Sequence, residues 1–113
     1  ELAFYETAQG HLLSANMKRF WGILFHLLWN HQSVPLDLDM VKFCRWLQRV
    51  GLPLTLPKDF SFTEYGIAVL KVAKDLPPAE IYYKIGQLRE TRYPTNEELV
   101  NLTDTYHEIM ERI

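Results

Sequence analysis

The sequence predicts an all-α protein, a bundle of five to six helices in a single domain over residues 1–113. Three observations lead there. Apolar residues recur three and four apart along most of the chain. Ser, Thr and Asp stand where helices would begin, and Gly or Pro where they would end. No segment shows the alternation of a half-buried strand or the turn of a hairpin. With 113 residues, 48% of them hydrophobic and 23% charged, the chain can bury one core and is too apolar for disorder.

Taken in order, Glu1 to Gln9 reads as a first helix. Met17, Phe20, Trp21, Leu24, Phe25 and Leu28 then recur at helical spacing, with Ser14 or Asn16 to cap the start. Ile23, Leu27 and Trp29 occupy the other side, so this helix is apolar nearly all round, as expected of a central or interfacial helix. Gly22 within it lowers helix propensity by about 1 kcal/mol relative to Ala, a cost that points to close approach of another segment. Asn30 to Pro35 breaks the pattern.

Leu36, Met40, Phe43, Leu47 and Val50 form the next stripe. Asp37 and Asp39 lie at its positive end, and Lys42, Arg45 and Arg49 towards its negative end. Gly51 is placed to stop it. The stretch that follows, RVGLPLTLPKDF from Arg49 to Phe60, is longer and more apolar than a bare helix-to-helix turn requires, so it is expected to pack down.

Ser61 and Glu64 have the spacing of a capping box, starting a helix that runs to about Lys74 with Ile67, Leu70 and Ala73 inward. Pro77 and Pro78 punctuate the chain. A helix from Pro78 to about Arg89 would set Ile81, Ile85 and Leu88 on one face. Thr95 and Glu98 form a second capping box, and Leu99, Leu102, Tyr106, Ile109 or Met110, and Ile113 complete a final amphipathic helix.

Few chemistries suggest themselves. Net charge is -2, with no basic excess for nucleic acid. No run of eighteen uncharged apolar residues exists, so no membrane span is expected. Cys44 is the sole cysteine and cannot form an internal disulfide, which suits a reducing, cytoplasmic setting. Cys44 reads as a small buried hydrophobe beside Phe43 and Leu47 rather than a nucleophile. His11, His26, His31 and His107 form no HExxH and no i, i+4 pair, and read as scattered or satisfied histidines. Glycines fall at 10, 22, 51, 66 and 86 without a phosphate-binding loop. Ser14 and Ser33 lack an evident catalytic partner. Tyr82, Tyr83, Tyr93, Tyr106 and the tryptophans are expected in the core or at a domain interface, and Lys42, Arg45 and Arg49 on a solvated face. No catalytic, cofactor-binding or metal-ligating residue is assigned.

The order of pieces resembles a family. Trp21-Gly22-Ile23-Leu24-Phe25-His26-Leu27-Leu28 looks like the long buried helix that opens the C-terminal helical domain of glycerol dehydrogenases, a group that includes iron-type alcohol dehydrogenases and dehydroquinate synthases. Val50-Gly51-Leu52-Pro53-Leu54-Thr55-Leu56, after the second amphipathic helix, resembles their VGLP-T-L stretch. A short helix follows in both. Tyr93-Pro94-Thr95-Asn96-Glu97-Glu98-Leu99 resembles the start of their last helix. The resemblance spans about Asn16 to Ile113.

It implies that 49–60 lies over the bundle, and that the chain walls a substrate cleft and makes domain or subunit contacts. The partner would be an N-terminal nucleotide-binding domain or another subunit, in a possible homo-oligomer. A complete enzyme of the group is an NAD-dependent polyol or alcohol dehydrogenase with a divalent metal. This chain departs from it: the family's metal-binding His aligns with Ala15. NAD and metal are therefore not expected of this chain by itself, nor is activity. A start at Glu1 rather than Met suits a piece of a longer protein. The alternative is a stand-alone helical protein-interaction module.

Overall fold

The computed structural model describes residues 1–84 and 86–113. Among them are five α-helices, a short 3-10 helix and a two-stranded antiparallel sheet. The protein is therefore mixed α and β, which corrects the all-α expectation. In order, α1 is Leu2–Tyr5, the 3-10 helix Gly10–Leu12, α2 Ala15–Ser33, α3 Met40–Arg49 and α4 Phe62–Ala73. Then come β1 Ala79–Lys84, β2 Gln87–Arg92 and α5 Asn96–Arg112.

Helix α2 is the axis of the molecule. Ser14 caps it, its hydroxyl accepting from the Met17 N–H. Trp21, Leu24, Phe25, Leu28 and Trp29 are buried on it, whereas Ile23 is exposed, so its apolar wrapping is incomplete. The helix continues through Ser33, beyond the break expected at Asn30. An ideal Cβ on Gly22 would lie 2.5 Å from the Glu1 nitrogen, so the absence of a side chain there admits the start of the chain. That start is not one helix to Gln9 but α1 followed by the 3-10 helix.

Around α2, Phe4 of α1, Cys44 and Leu47 of α3, Tyr65 and Ala68 of α4, and Leu102, Tyr106 and Ile109 of α5 close one core. Its centre is aromatic. The Phe25 ring lies 5.7 Å from Phe4 and 5.2 Å from Tyr65, centroid to centroid, and Tyr106 lies 5.2 Å from Phe62. Each such large side chain withdrawn from water contributes about 1.5–3 kcal/mol before entropy is charged.

Helix α3 starts at Asp39, whose carboxylate accepts from the Lys42 N–H. Leu36, before the helix, is buried, while Val50 at its end is exposed. Gly51 adopts φ +95°; the Gly51 N–H donates to the Gln48 carbonyl and the Leu52 N–H to that of Leu47, both at 3.1 Å. This is a Schellman ending, which wants a left-handed residue at Gly51. Released downwards, the chain from 52 to 56 runs over the bundle with Leu54 and Leu56 buried, and the Tyr106 hydroxyl donates to the Leu54 carbonyl at 3.0 Å. The long apolar connection does pack down.

Helix α4 begins on Ser61, whose hydroxyl accepts from the Glu64 N–H. Glu64 does not complete the box; its carboxylate instead accepts from the Ala8 N–H at 2.6 Å and ties down the N-terminal segment. The buried face of α4 is Tyr65, Gly66 and Ala68, one residue round from the expected one, and Ile67 is 65% exposed.

Where a helix was expected over 78–89 the chain forms the hairpin. Ile81, Tyr82 and Tyr83 are β-branched or aromatic and favour a pleated strand. Gly86, between the paired residues Lys84 and Gln87, takes φ +89°, which closes a hairpin and would interrupt a helix. Of the three residues expected to share a helical face, Ile81 is fully buried, Leu88 is exposed on β2, and Ile85 lies outside the described residues. One buried residue in twelve leaves no alternation to read. Register shifts on both sides of Tyr82 blur the period further. Finally α5 starts with the full Thr95–Glu98 capping box and buries Leu99, Leu102, Tyr106 and Ile109.

Candidate functional site

A cavity of about 240 Å3 opens between α1, α2, α4 and the chain on either side of the hairpin. Its floor is Phe25 and Leu102, both buried, and its mouth carries exposed groups including Leu2, His26 and Tyr93. Val69 and Val72 of α4 line one side and Trp29 of α2 another. The lining is mainly apolar, with Glu1, His26, Tyr65 and Tyr93 as its polar members, and Leu99 and Leu102 of α5 complete it. The Tyr93 hydroxyl donates to the Leu76 carbonyl at 2.7 Å and holds the rim together.

Polar groups at this site are few. The Trp29 indole N–H is buried and has no acceptor among the described residues. Burial pushes the Tyr65 phenol well above its usual range, so it stays protonated. His26 Nε2 lies 2.8 Å from the Glu80 carbonyl; with nitrogen donating, the imidazole is a strut between α2 and β1.

Behind the cavity, a polar knot fixes the hairpin to the helices. The Arg92 guanidinium donates twice to Glu98, at 2.6 Å each. Glu98 also accepts from the Thr95 N–H and the Ser33 hydroxyl, both at 2.9 Å. The paired Arg92 chiefly, with the Thr95 and Ser33 donors, holds the Glu98 carboxyl down at about 2 against the opposing effect of burial. Arg92 also stands over the Trp29 ring, 5.2 Å from its centroid.

A second groove lies between α4 and α5, over Phe62, Gly66 and Leu99, with Ile67 and Val100 exposed at its edge. A Cβ on Gly66 would lie 3.7 Å from that of Leu99, an ordinary van der Waals contact, so the approach of the two helices does not require glycine there.

The residues considered from sequence do not converge. His31 Nδ1 accepts from the Leu36 N–H at 3.0 Å and shapes the exit from α2. His107 packs edge-on against Phe62, and His11 is exposed on the 3-10 helix. Among the described residues, no group of three His, Cys, Asp or Glu side chains is placed to hold a metal ion. Cys44 is fully buried, and burial pushes its thiol up, away from a reactive thiolate. Ser14 is a helix cap and Ser33 a Glu98 partner. Lys42, Arg45 and Arg49 are exposed, with Arg45 donating to the Arg112 carbonyl. Trp21, Trp29, Tyr65 and Tyr106 are buried, while Trp46, Tyr83 and Tyr93 are exposed. No helix among the described residues is long and apolar enough to cross a membrane.

Asn30 and the cavity were both missed from sequence. A buried amide on the apolar face of α2 was the available signal for the first: such a group needs partners, and here they are the Val34 carbonyl and both backbone groups of Tyr82. The cavity had no signal, since it arises where separate segments fail to meet. No family model, curated protein or solved structure matches the chain.

Proposed function

We propose that this chain is a helical docking domain without chemistry of its own, similar to the C-terminal helical domain of glycerol-dehydrogenase-like oxidoreductases. The observation that carries the reading is the path of 49–60. That segment leaves α3 at Gly51 and lies over the bundle with Leu54 and Leu56 in the core, as the resemblance implies for the VGLP-T-L stretch. The buried glycine-bearing α2, the amphipathic α3 and the Thr95-capped α5 occur in the implied order. The hairpin stands where a short helix was expected. Ala15, at the place of the family's histidine, is an exposed methyl group at the start of α2 and offers no metal ligand.

In this reading the chain walls a cleft whose nucleotide- and metal-binding parts come from a partner domain or subunit in the cytoplasm. Calorimetry with zinc, iron(II) and NAD+ tests the absence of chemistry. No heat of binding is expected from any of the three. Stoichiometric metal binding would overturn the reading.

A second reading, a stand-alone interaction module, is favoured by the exposed Ile67 and Val100 beside the α4–α5 groove. Light scattering of the wild type and of Ile67→Asp tests that face. Self-association abolished by the substitution would support it, and a concentration-independent monomer in both would remove self-association from consideration.

A further inference from the structure

We infer that copies of this chain join head to tail, the basic, tryptophan-bearing face of α3 on one copy seating on the acidic-edged α4–α5 groove of the next. This rests on the interaction-module reading and names the surface that the groove receives. It makes no use of the family resemblance or of the cavity.

Charge is the first ground. Residues 40–58 include Lys42, Arg45, Arg49 and Lys58 and no Asp or Glu, although the whole chain carries a net charge of -2. Lys42, Arg45 and Arg49 are three and four residues apart, so they share one side of α3, and all are exposed. Helix α5 has the opposite character, with Glu97, Glu98, Asp104, Glu108 and Glu111 against Arg112 alone. Glu98 is held by Arg92, and Glu108 lies 3.9 Å from Arg112. Glu97, Asp104 and Glu111 recur every seven residues along one exposed side of α5, the side that carries Val100. Among the described residues, none of these three acids and none of the three α3 cations forms a salt bridge. Each surface therefore lacks the counter-charge that the other presents.

Apolar surface is the second ground. Trp46 and Val50 are each 54% exposed, and the Phe43 ring stacks on Trp46 with centroids 6.2 Å apart. Trp46 lies four residues from Lys42 and three from Arg49, so it stands among the cations. An exposed tryptophan among arginines has the composition of an interface centre rather than of a solvated face. The groove offers Phe62 and Leu99 in its lining, with Ile67 and Val100 exposed at its edge. Its volume of about 440 Å3 lies in the range of pockets that take drug-sized molecules, and so has room for an indole.

Separation is the third. Helix α3 meets α5 at the far end from the groove, where Arg45 donates to the Arg112 carbonyl at 2.8 Å. Arg112 is about 18 Å along the helix from Val100, at 1.5 Å per residue. One copy can therefore give its α3 face while receiving another's. The two surfaces differ, so the contact is heterologous and repeats from copy to copy.

The test is multi-angle light scattering of the full chain over a concentration series, with Trp46→Glu and Ile67→Asp each alone and then mixed one to one. Circular dichroism checks that the variants fold, and Arg49→Glu and Val100→Glu replace either one that does not. Wild type is expected to grow beyond a dimer as concentration rises, and to associate about ten-fold more weakly at 500 mM than at 50 mM salt. Each variant alone is expected to associate about thirty-fold more weakly or worse. The mixture is the deciding sample. There the intact groove of the Trp46→Glu chain meets the intact α3 of the Ile67→Asp chain, so growth is expected to stop at the mass of a dimer. If Ile67→Asp abolishes association and Trp46→Glu leaves it unchanged, the pairing is overturned while the interaction-module reading stands. A mixture that stays monomeric overturns the pairing too. A wild type that is monomeric throughout overturns self-association altogether. Sedimentation of that monomer with phosphatidylserine vesicles, lost in Trp46→Glu, would assign the α3 face to an anionic membrane instead.

Discussion

Asn30 holds Tyr82 by both of its backbone groups. The Asn30 amide Nδ2 donates to the Tyr82 carbonyl at 3.0 Å, and the Tyr82 N–H donates to Asn30 Oδ1 at 2.7 Å. A helix side chain thus stands in for a neighbouring strand along the free edge of β1. His26, one helical turn earlier, reaches the Glu80 carbonyl in the same way. An isolated two-stranded hairpin is marginal in water. This one persists because α2 supplies Asn30 and His26 to its edge and because Ile81 is fully buried.

Asn30→Leu therefore strands buried backbone groups rather than merely removing contacts. Asn30 is 2% exposed and also donates to the Val34 carbonyl. The substitution is expected to cost about 1–3 kcal/mol in urea unfolding. Faster amide exchange should appear at Tyr82 and its strand neighbours first. Unchanged protection at Tyr82 would show that the hairpin does not depend on this amide.

Glu98 gives the fold a defined acid sensitivity. Its folded pKa of about 2 lies below its ordinary 4.5, chiefly through Arg92. The depressed value means the folded state prefers the ionised form. Its contribution is fully present above the ordinary carboxylate range and is lost as pH falls from about 4.5 towards 2. Glu98→Gln is expected to cost about 1–3 kcal/mol at pH 7, typical of charged hydrogen bonds. It should also flatten stability against pH in that window. A variant that loses stability with the wild-type slope below pH 4.5 would place the acid response elsewhere.

How much of this was legible follows from where the physics is local. The capping residues Ser14, Asp39, Ser61 and Thr95 act within their own turn, and each was readable or nearly so from spacing. The apolar stripes of α2, α3 and α5 were readable for the same reason. Ile67 was not, because its exposure depends on where α5 lies against α4. The hairpin was not, because one buried isoleucine and an anchoring asparagine fifty-two residues away carry no periodic signal. The knot at Glu98 was visible only as its capping half; Arg92 and Ser33 come from other elements. For function the sequence offered a resemblance and an absence of motifs, and the cavity exists only in three dimensions.

Gly51 can be tested without touching the core. Nothing lies within 4 Å of the position its Cβ would take, so a substitution is judged on backbone conformation alone. At φ +95°, Gly51→Val is expected to cost about 1–3 kcal/mol. Asn tolerates a left-handed φ better than a β-branched residue does, so Gly51→Asn is expected to cost less. The melting temperatures of the two variants provide the comparison. Equal temperatures for Val and wild type would show that the α3 ending does not need its left-handed residue.

Tyr106→Phe tests what holds the 49–60 segment down. The ring would remain against Trp21, Phe25 and Phe62, so the aromatic packing is conserved. Only the hydroxyl leaves, and with it the bond to the Leu54 carbonyl. A net loss of about 1 kcal/mol is expected, rising towards about 3 if water cannot reach that carbonyl. Leu54→Ala removes the burial instead, at an expected cost of about 2–5 kcal/mol. The pair distinguishes two ways of anchoring one segment. If the carbonyl bond directs the chain, Tyr106→Phe will open 52–56 to limited proteolysis while the rest stays protected. If burial alone directs it, Tyr106→Phe will resist the protease as the wild type does and Leu54→Ala will be cut. Because the two residues touch, their effects should not add, and the double variant is expected to be less destabilised than the sum of the singles.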